Sequence, residues 1–282
     1  MLGLAGAGLV TGCTTTPSSP APPATVPLDH LPALKGDYFP LQSREADHLY
    51  HIYVRLPEGY DSEPDRHYPV VYLLDGDSAF PYLAPHHLFL TYDDKIPEAI
   101  LVGIAYGSFA QPTNRRHIDF MPPAVGVESS ESGAAAFQQF LRSELLPTVE
   151  QRYRADPIRR ILVGQSRAGA FVLYSAFTDP DLFWSRLASN PSMHPGREII
   201  FGNARAGTRR DLRLFLATGT AEAAGRRGAA LEWLAYWQQR QGAPWTAEKI
   251  EIDGGTHAAN LPDAYREMLR RLFSSQATSR AP

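Results

Sequence analysis

A single cysteine, Cys13, stands among 282 residues. No disulfide can form within the chain, and cysteine usage leaves the redox compartment open. Lys and Arg are scattered and the net charge is −3. The basic stripe that a nucleic-acid footprint needs is missing, so no nucleic-acid partner is expected. The apolar stretch at the N-terminus covers about twelve residues, too few to span a bilayer. No internal repeat and no second core is visible. No set of His, Cys, Asp or Glu has metal-ligand spacing. The adjacent pair His86–His87 has no such partner and reads as one packed and one solvated imidazole. Neither a metal nor a cofactor is expected. What is present is an ordinary globular composition, 44% hydrophobic and 20% charged, enough for one large domain.

The segment MLGLAGAGLVTGC at residues 1–13 has the length of a signal h-region. Val10-Thr11-Gly12-Cys13 resembles the bacterial lipobox, in which the cysteine is acylated. It departs from that pattern in having no Lys or Arg before the apolar run. A disordered N-terminus with an incidental thiol is the alternative. Residues 14–36 open with Thr, Ser, Pro and Ala and carry too little apolar surface at first to fold, so they read as a semi-extended tether. Lipidation of Cys13, attachment to a membrane through that lipid and a place in the bacterial cell envelope are the expectations. Oligomeric state stays open.

Periodic sequence begins near residue 37 and continues to 275, with 276–282 expected to be a disordered tail. DYFPLQSR and HLYHIYVRLP alternate as strands. Val70–Leu74 and Ala99–Ala105 are continuous apolar runs, as in strands buried on both faces. A long loop spans about 107–132, a length that usually signals function or mobility. The helix over SGAAAFQQFLRSELLPTVEQRY should kink or break at Pro147. Ile161–Val163 is a third buried strand, followed by a helix over 169–177. A strand at 212–218, a helix over GAALEWLAYWQQRQG, a strand at 248–252 and a helix at 261–273 complete the chain. Two opening strands and then alternating strands and helices predict a single-domain α/β fold with a mostly parallel sheet and helices on both faces.

In such a sheet, reacting groups gather at the carboxyl ends of the strands. Ser166 stands there in Gly164-Gln165-Ser166-Arg167-Ala168, followed by Gly169. The pattern approximates G-x-S-x-G, with Ala168 in place of the second glycine. Ser166 also fits a helix N-cap. A serine nucleophile needs a base, and the base needs an acid to orient it. Glu222 follows the strand at 212–218 and His257 follows the strand at 248–252, 56 and 91 residues after Ser166. The order Ser, acid, His is that of α/β-hydrolases. Asp253, four residues before the histidine, is the competing acid. The oxyanion would be held by the backbone N–H of Arg167 and by one from Gly76 or Asp77.

Several segments together resemble the esterase D-like, enterochelin-esterase-like branch of the α/β-hydrolases over about residues 37–275. They are Tyr53–Tyr60, Tyr68–Gly76, the R-x-x-D-x-x-P loop Arg116–Pro122, Gly164–Gly169, Asn190-Pro191-Ser192 and Gly255-Thr256-His257. The resemblance implies an α/β-hydrolase fold, Ser166 as nucleophile, His257 as base and Glu222 as acid. It implies a small-molecule ester substrate: a siderophore, hydroxycinnamoyl or acetyl ester. Arg116 and Tyr106 are candidate substrate-binding residues, and Arg116 is expected to pair with Asp119 within its own loop. Arg115, Arg116 and Arg167 could supply cations for an anionic substrate. An acyltransferase on the same triad, or a binding lipoprotein that has lost the chemistry, are the alternatives. The retained Ser166 and His257 argue against the second.

Overall fold

The computed structural model describes residues 31–279. After a short turn at Pro32–Leu34 come β1 (Gly36–Ser43), β2 (His48–Arg55), β3 (Tyr68–Leu73), α1 (Gly76–Asp93) and β4 (Ile100–Ala105). Then follow α2 (Arg116–Asp119), α3 (Ala134–Phe140), α4 (Leu146–Arg152), β5 (Ala155–Gln165), α5 (Arg167–Thr178) and β6 (Ser185–Ser189). The chain ends with α6 (Arg197–Ile200), β7 (Arg213–Gly219), α7 (Ala224–Gln238), β8 (Thr246–Ile252) and α8 (Leu261–Ser279). The strands form one eight-stranded sheet in the order β1-β2-β4-β3-β5-β6-β7-β8. The first two pairings are antiparallel and the rest parallel.

The continuous apolar runs become β3 and β4, buried at every position, because helices cover both faces of the sheet. Val70, Tyr72 and Leu74 face a core shared with Phe137, Phe171 and Trp233. Val71 and Leu73, one residue out of phase, face Leu83, Tyr265 and Leu272 from α1 and α8. β5 to β8 run parallel, so the carboxyl ends of β5, β7 and β8 open onto one edge of the sheet. That edge positions Ser166, Glu222 and His257. Among the described residues no helix is long and apolar enough to cross a membrane.

The α/β reading holds, with corrections to individual elements. Sequence reading missed α1 and β6. Pro81 and Pro85 lie inside α1, and they obscured an apolar spacing at Phe80, Leu83, Ala84, His87 and Leu88. β6 reads SRLAS, with no apolar run, yet all five residues are buried. Arg186 in that strand is buried with its guanidinium on the carbonyls of Pro180, Phe183 and Asp179 at 2.7–2.9 Å. Two strands therefore separate Ser166 from Glu222, where one strand-helix unit was expected. Pro147 does not break its helix. A wide π-turn at Leu141–Leu145, in which the Leu146 amide reaches back to the Leu141 carbonyl, precedes the proline and absorbs its missing N–H. The helix expected over residues 228–242 lies at Ala224–Gln238 instead. The folded part begins before residue 37, since Leu34 packs on the core. It continues past 275, since α8 runs to Ser279. Cys13 and the signal-like segment lie outside the described residues, as do residues 280–282.

Candidate active site

β5 ends at Gln165 and α5 starts at Arg167, which leaves one residue to reverse the chain. Ser166 does so at φ 57°, ψ −114°, a region that non-glycine residues rarely enter. The tight elbow needs small neighbours. A Cβ on Gly164 would stand 2.6 Å from the Ala168 carbonyl oxygen, and one on Gly169 would stand 3.1 Å from Pro191. The close helix–strand approach thus falls at Gly164, while the displaced Gly169 sits where α5 passes the Asn190-Pro191-Ser192 segment. Ala168 is fully buried and fits. That segment braces the elbow in return: the Ser192 amide donates to the Ser166 carbonyl at 2.9 Å.

The Ser166 side chain makes no capping bond to α5, so it is not a simple N-cap. Its Oγ lies 2.9 Å from His257 Nε2. On the far side of the ring, His257 Nδ1 lies 2.5 Å from Glu222 Oε2. The Glu222 side chain is 1% exposed. Its Oε1 accepts from the Ala223 amide at 2.7 Å and from Arg226 Nε at 2.8 Å. Burial alone would push this carboxyl up. The bond from His257, and then those from Arg226 and the Ala223 amide, outweigh it and hold the carboxyl below its ordinary range. Asp253, the competing acid, accepts from the Thr220 hydroxyl at 3.2 Å instead.

Three strand ends must be held in register for this geometry. Asn190, 3% exposed and in the left-handed region at φ 40°, does much of that. Its Nδ2 donates to the carbonyls of Thr256 and His257 at 3.1 and 3.2 Å, and its Oδ1 accepts from the Gly219 amide at 3.2 Å. Gln165 Nε2 also donates to the His257 carbonyl. The loops of the acid and the histidine cross closely: a Cβ on Gly219 would stand 1.9 Å from the Gly255 carbonyl oxygen. Glycine is needed at 219 and 255 for this close approach, rather than for a flexible loop. Sequence reading missed the positioning roles of Asn190 and Gln165. The signal was there in their places, Gln165 beside the serine and Asn190 at the end of a strand that was not recognised.

Ser166 and His257 open into a cavity of 330 Å³ that Asp75, Ser78, Tyr82 and Arg116 also line. Arg116 lines that cavity, but it does not pair with Asp119. It makes a two-pronged bond to Asp75 at 2.8 and 2.9 Å, while Arg115 Nε lies 3.6 Å from Asp119. Arg116 starts α2 and its side chain turns across to the end of β3, whereas Arg115 is a full helical turn from Asp119. Tyr106 is corrected as a substrate contact. It is 2% exposed, and its hydroxyl donates to Asp119 at 3.1 Å, as the Tyr50 hydroxyl does at 2.7 Å. Gly76 and Asp77 line a separate cleft with Tyr53, Phe80 and Phe109. The Asp77 carboxylate there accepts from the amides of Tyr106 and Gly107 at 2.8 and 2.7 Å. Asp75 is the residue of that turn on the Ser166 cavity. The Arg167 guanidinium, beside Ser166, has no ion-pair partner among the described residues. Of the adjacent histidines, His87 is fully buried against the Tyr265 hydroxyl at 2.8 Å; His86 is half-buried. Among the described residues no group of three or more His, Cys, Asp or Glu is placed to hold a metal ion.

Comparison with known proteins follows the same lines. The chain is 31% identical to the ferri-bacillibactin esterase BesA of Bacillus subtilis, over 57% of this chain and 59% of that protein. It is 28% identical to the apo-salmochelin esterase of Escherichia coli O6:H1, over 66% of this chain and 62% of that protein. The chain thus spans about three-fifths of the length of these relatives. Among solved structures, an IroE-like serine hydrolase from Shewanella oneidensis superposes with a TM-score of 0.71 at 25% identity, covering 84% of this chain and 80% of that one. The fold is that of the α/β-hydrolases. Residues 43–261 match the model of the family Esterase, described as "Putative esterase", and the chain belongs to that esterase family.

Proposed function

We propose that this protein hydrolyses carboxylic esters through an acyl-enzyme on Ser166. The observation that carries the reading is the continuous relay from Ser166 Oγ to His257 Nε2 and from His257 Nδ1 to Glu222. His257 takes the serine proton as Oγ attacks the ester carbonyl, and returns it to the leaving alcohol. A water activated by the same imidazole then releases the acid. Glu222 holds the tautomer with Nδ1–H and stabilises the imidazolium that forms. The tetrahedral oxyanion is held by the Arg167 amide at the start of α5 and by an amide of the turn that begins at Asp75.

The substrate class is a siderophore ester. Two observations support it. The relatives above are named a ferri-bacillibactin esterase and an apo-salmochelin esterase, and a further one, from Aspergillus fumigatus, is named a siderophore triacetylfusarinine C esterase. In this chain Arg116 lines the Ser166 cavity, and the Arg167 guanidinium stands near enough to feel its charge. Burial and then Arg116 lower the Arg167 pKa from its ordinary value, and Asp75 partly offsets them, so an anionic ligand beside Arg167 would meet a cation that has no ion-pair partner among the described residues. An iron-catecholate complex has that charge.

Turnover of a p-nitrophenyl ester and of a tris-catecholate trilactone, each with and without an alcohol acceptor, tests the reading. Hydrolysis of both is expected, with a higher kcat/KM for the trilactone. Transfer to the alcohol in preference to water would make the protein an acyltransferase. Ser166→Ala should lose activity by several powers of ten with the fold intact. A fluorophosphonate probe that still labels Ser166→Ala would place the nucleophile elsewhere.

We also infer a lipid anchor at Cys13 and a place in the cell envelope. The support is the sequence alone: the cysteine falls where an apolar run gives way to a Pro-rich segment. Acyl chains on Cys13 and membrane fractionation of the native protein are the expected result. An unmodified Cys13 in the soluble fraction would end that inference.

A further inference from the structure

We propose that Arg226 is a positioning residue of the triad: it holds the idle oxygen of Glu222, so that the other oxygen stays on His257. The proposal rests on the triad reading above. A carboxylate that can rotate presents either oxygen to the imidazole, and a buried one with a single partner has a lone-pair edge unsatisfied. Here Oε1 is taken by the Ala223 amide and by Arg226 Nε at 2.8 Å, and Oε2 alone faces the ring at 2.5 Å. Arg226 lies four residues after Glu222, in the first turn of α7, so the pair meets on one face of the chain's entry into the helix.

An ordinary surface ion pair contributes little. This one differs because its two ends are unlike: the Glu222 side chain is 1% exposed and that of Arg226 is 54% exposed. The guanidinium thus sits as a half-open cover over a buried carboxylate. It also tempers the field that the carboxylate exerts on the imidazole. The other charges around the ring are engaged or distant. Arg227 on α7 pairs with Glu251 of β8 at 2.7 Å. Asp253 takes the Thr220 hydroxyl. Arg116 is held by Asp75 across the cavity, and Asp263 lies on α8 with its side chain outside the triad's hydrogen bonds. On the serine side, Arg167 has no ion-pair partner among the described residues.

The test follows the rate at which a fluorophosphonate labels Ser166, and the turnover of a p-nitrophenyl ester, both as a function of pH. Compared are the wild type, Arg226→Gln, Arg226→Lys, Glu222→Gln and the double variant Arg226→Gln/Glu222→Gln. Arg226→Gln should lower kcat and the labelling rate by roughly three- to thirtyfold, less than loss of the acid itself, with KM unchanged. Its acid limb should move to higher pH, because the carboxylate's field on the imidazole is no longer tempered. Arg226→Lys should fall between the two. In the Glu222→Gln background, Arg226→Gln should add nothing, since it acts only through the carboxylate. Rates and limb in Arg226→Gln equal to the wild type, or an equal loss in the Glu222→Gln background, would overturn the proposal. A wild-type protein that the probe does not label would instead overturn the triad reading on which it stands.

Discussion

The side chains of Glu222 and Asp119 are each 1% exposed, and their carboxyls have opposite fates. Glu222, on the loop after β7, keeps its carboxyl below the ordinary range. Asp119, at the end of α2, has its carboxyl pushed up: burial outweighs the bond from Tyr50, the charge of Arg115 and the bond from Tyr106. Burial weighs on both carboxyls, and more heavily on Asp119, which lies deeper in the protein. The partners add to the difference. Glu222 has an imidazole, a guanidinium at 2.8 Å and an amide. Asp119 has two neutral hydroxyls and a guanidinium no closer than 3.6 Å. In the mechanism proposed above, one site keeps an anion ready beside a ring that becomes a cation. The other ties α2 to β2 and to the end of β4, and so holds the segment from which Arg116 reaches the cavity.

Of the two carboxylates, Glu222 should have the larger effect on rate when changed to Gln. The amide oxygen is best placed at Oε1, where two donors already point, which turns the NH₂ toward His257. Nδ1 must then accept, and the proton moves to Nε2, where it blocks removal of the serine proton. A drop in kcat of roughly ten- to ten-thousand-fold is expected by analogy with other triad acids, while Asp253→Asn should leave the rate alone. An unchanged kcat/KM in Glu222→Gln would remove the acid from the mechanism. Asp119→Ala should reverse the pattern. It leaves two buried tyrosine hydroxyls without an acceptor, and should cost roughly 2–4 kcal/mol of stability with a smaller loss of kcat than Glu222→Gln. Urea unfolding measures the first and steady-state kinetics the second. If Asp119→Ala were as slow as Glu222→Gln, the two carboxylates would not differ in kind.

The contrast should also appear in how stability depends on pH. A carboxyl lowered by folding contributes stability that is present above its unfolded pKa and is lost as pH falls through its folded value. That is Glu222. A raised carboxyl does the opposite: its contribution is full below the unfolded pKa and declines as pH rises through the folded value. That is Asp119. Between pH 3 and 7, the stability difference between wild type and Glu222→Gln should therefore grow as pH rises, and that between wild type and Asp119→Asn should shrink. Parallel curves would show that the partners do not set the two carboxyls apart.

How far the sequence discloses this depends on where the determining contacts lie along the chain. β3, β4 and β7 were legible because both faces are covered and almost every residue is apolar. Ser166, Glu222 and His257 were legible because each follows a recognisable strand, and the ends of parallel strands must meet. β6 was not, since Ser185 and Arg186 are kept in the core by contacts that no periodicity encodes. α1 was hidden by Pro81 and Pro85. The partner of Arg116 was misjudged because Asp119 is three residues away and Asp75 is forty-one. A spacing of three suggests a local pair, and only the fold brings the end of β3 to the start of α2. Which carboxylate meets His257 was ambiguous for the same reason: Asp253 is near it in sequence, but Glu222 arrives from the neighbouring strand.

The smallest effect sharpens the comparison at the level of single hydroxyls. Tyr50 and Tyr72 are both fully buried in the same core. The Tyr50 hydroxyl donates to Asp119 at 2.7 Å, and burial together with that neighbouring charge pushes its pKa up, so it stays a donor at every working pH. The Tyr72 hydroxyl has no partner among the described residues, and burial pushes its pKa up as well. Replacing each by Phe removes one oxygen and little volume. Tyr50→Phe leaves a buried carboxylate short of a donor and should cost about 1–3 kcal/mol. Tyr72→Phe removes a buried group that folding strips of water and gives nothing in return, so it should be neutral or stabilising by up to about 1 kcal/mol. Thermal melts of the two variants side by side decide it. Equal losses would mean that the Tyr72 hydroxyl is satisfied by a buried water, and that the two tyrosines differ only in what accepts their proton.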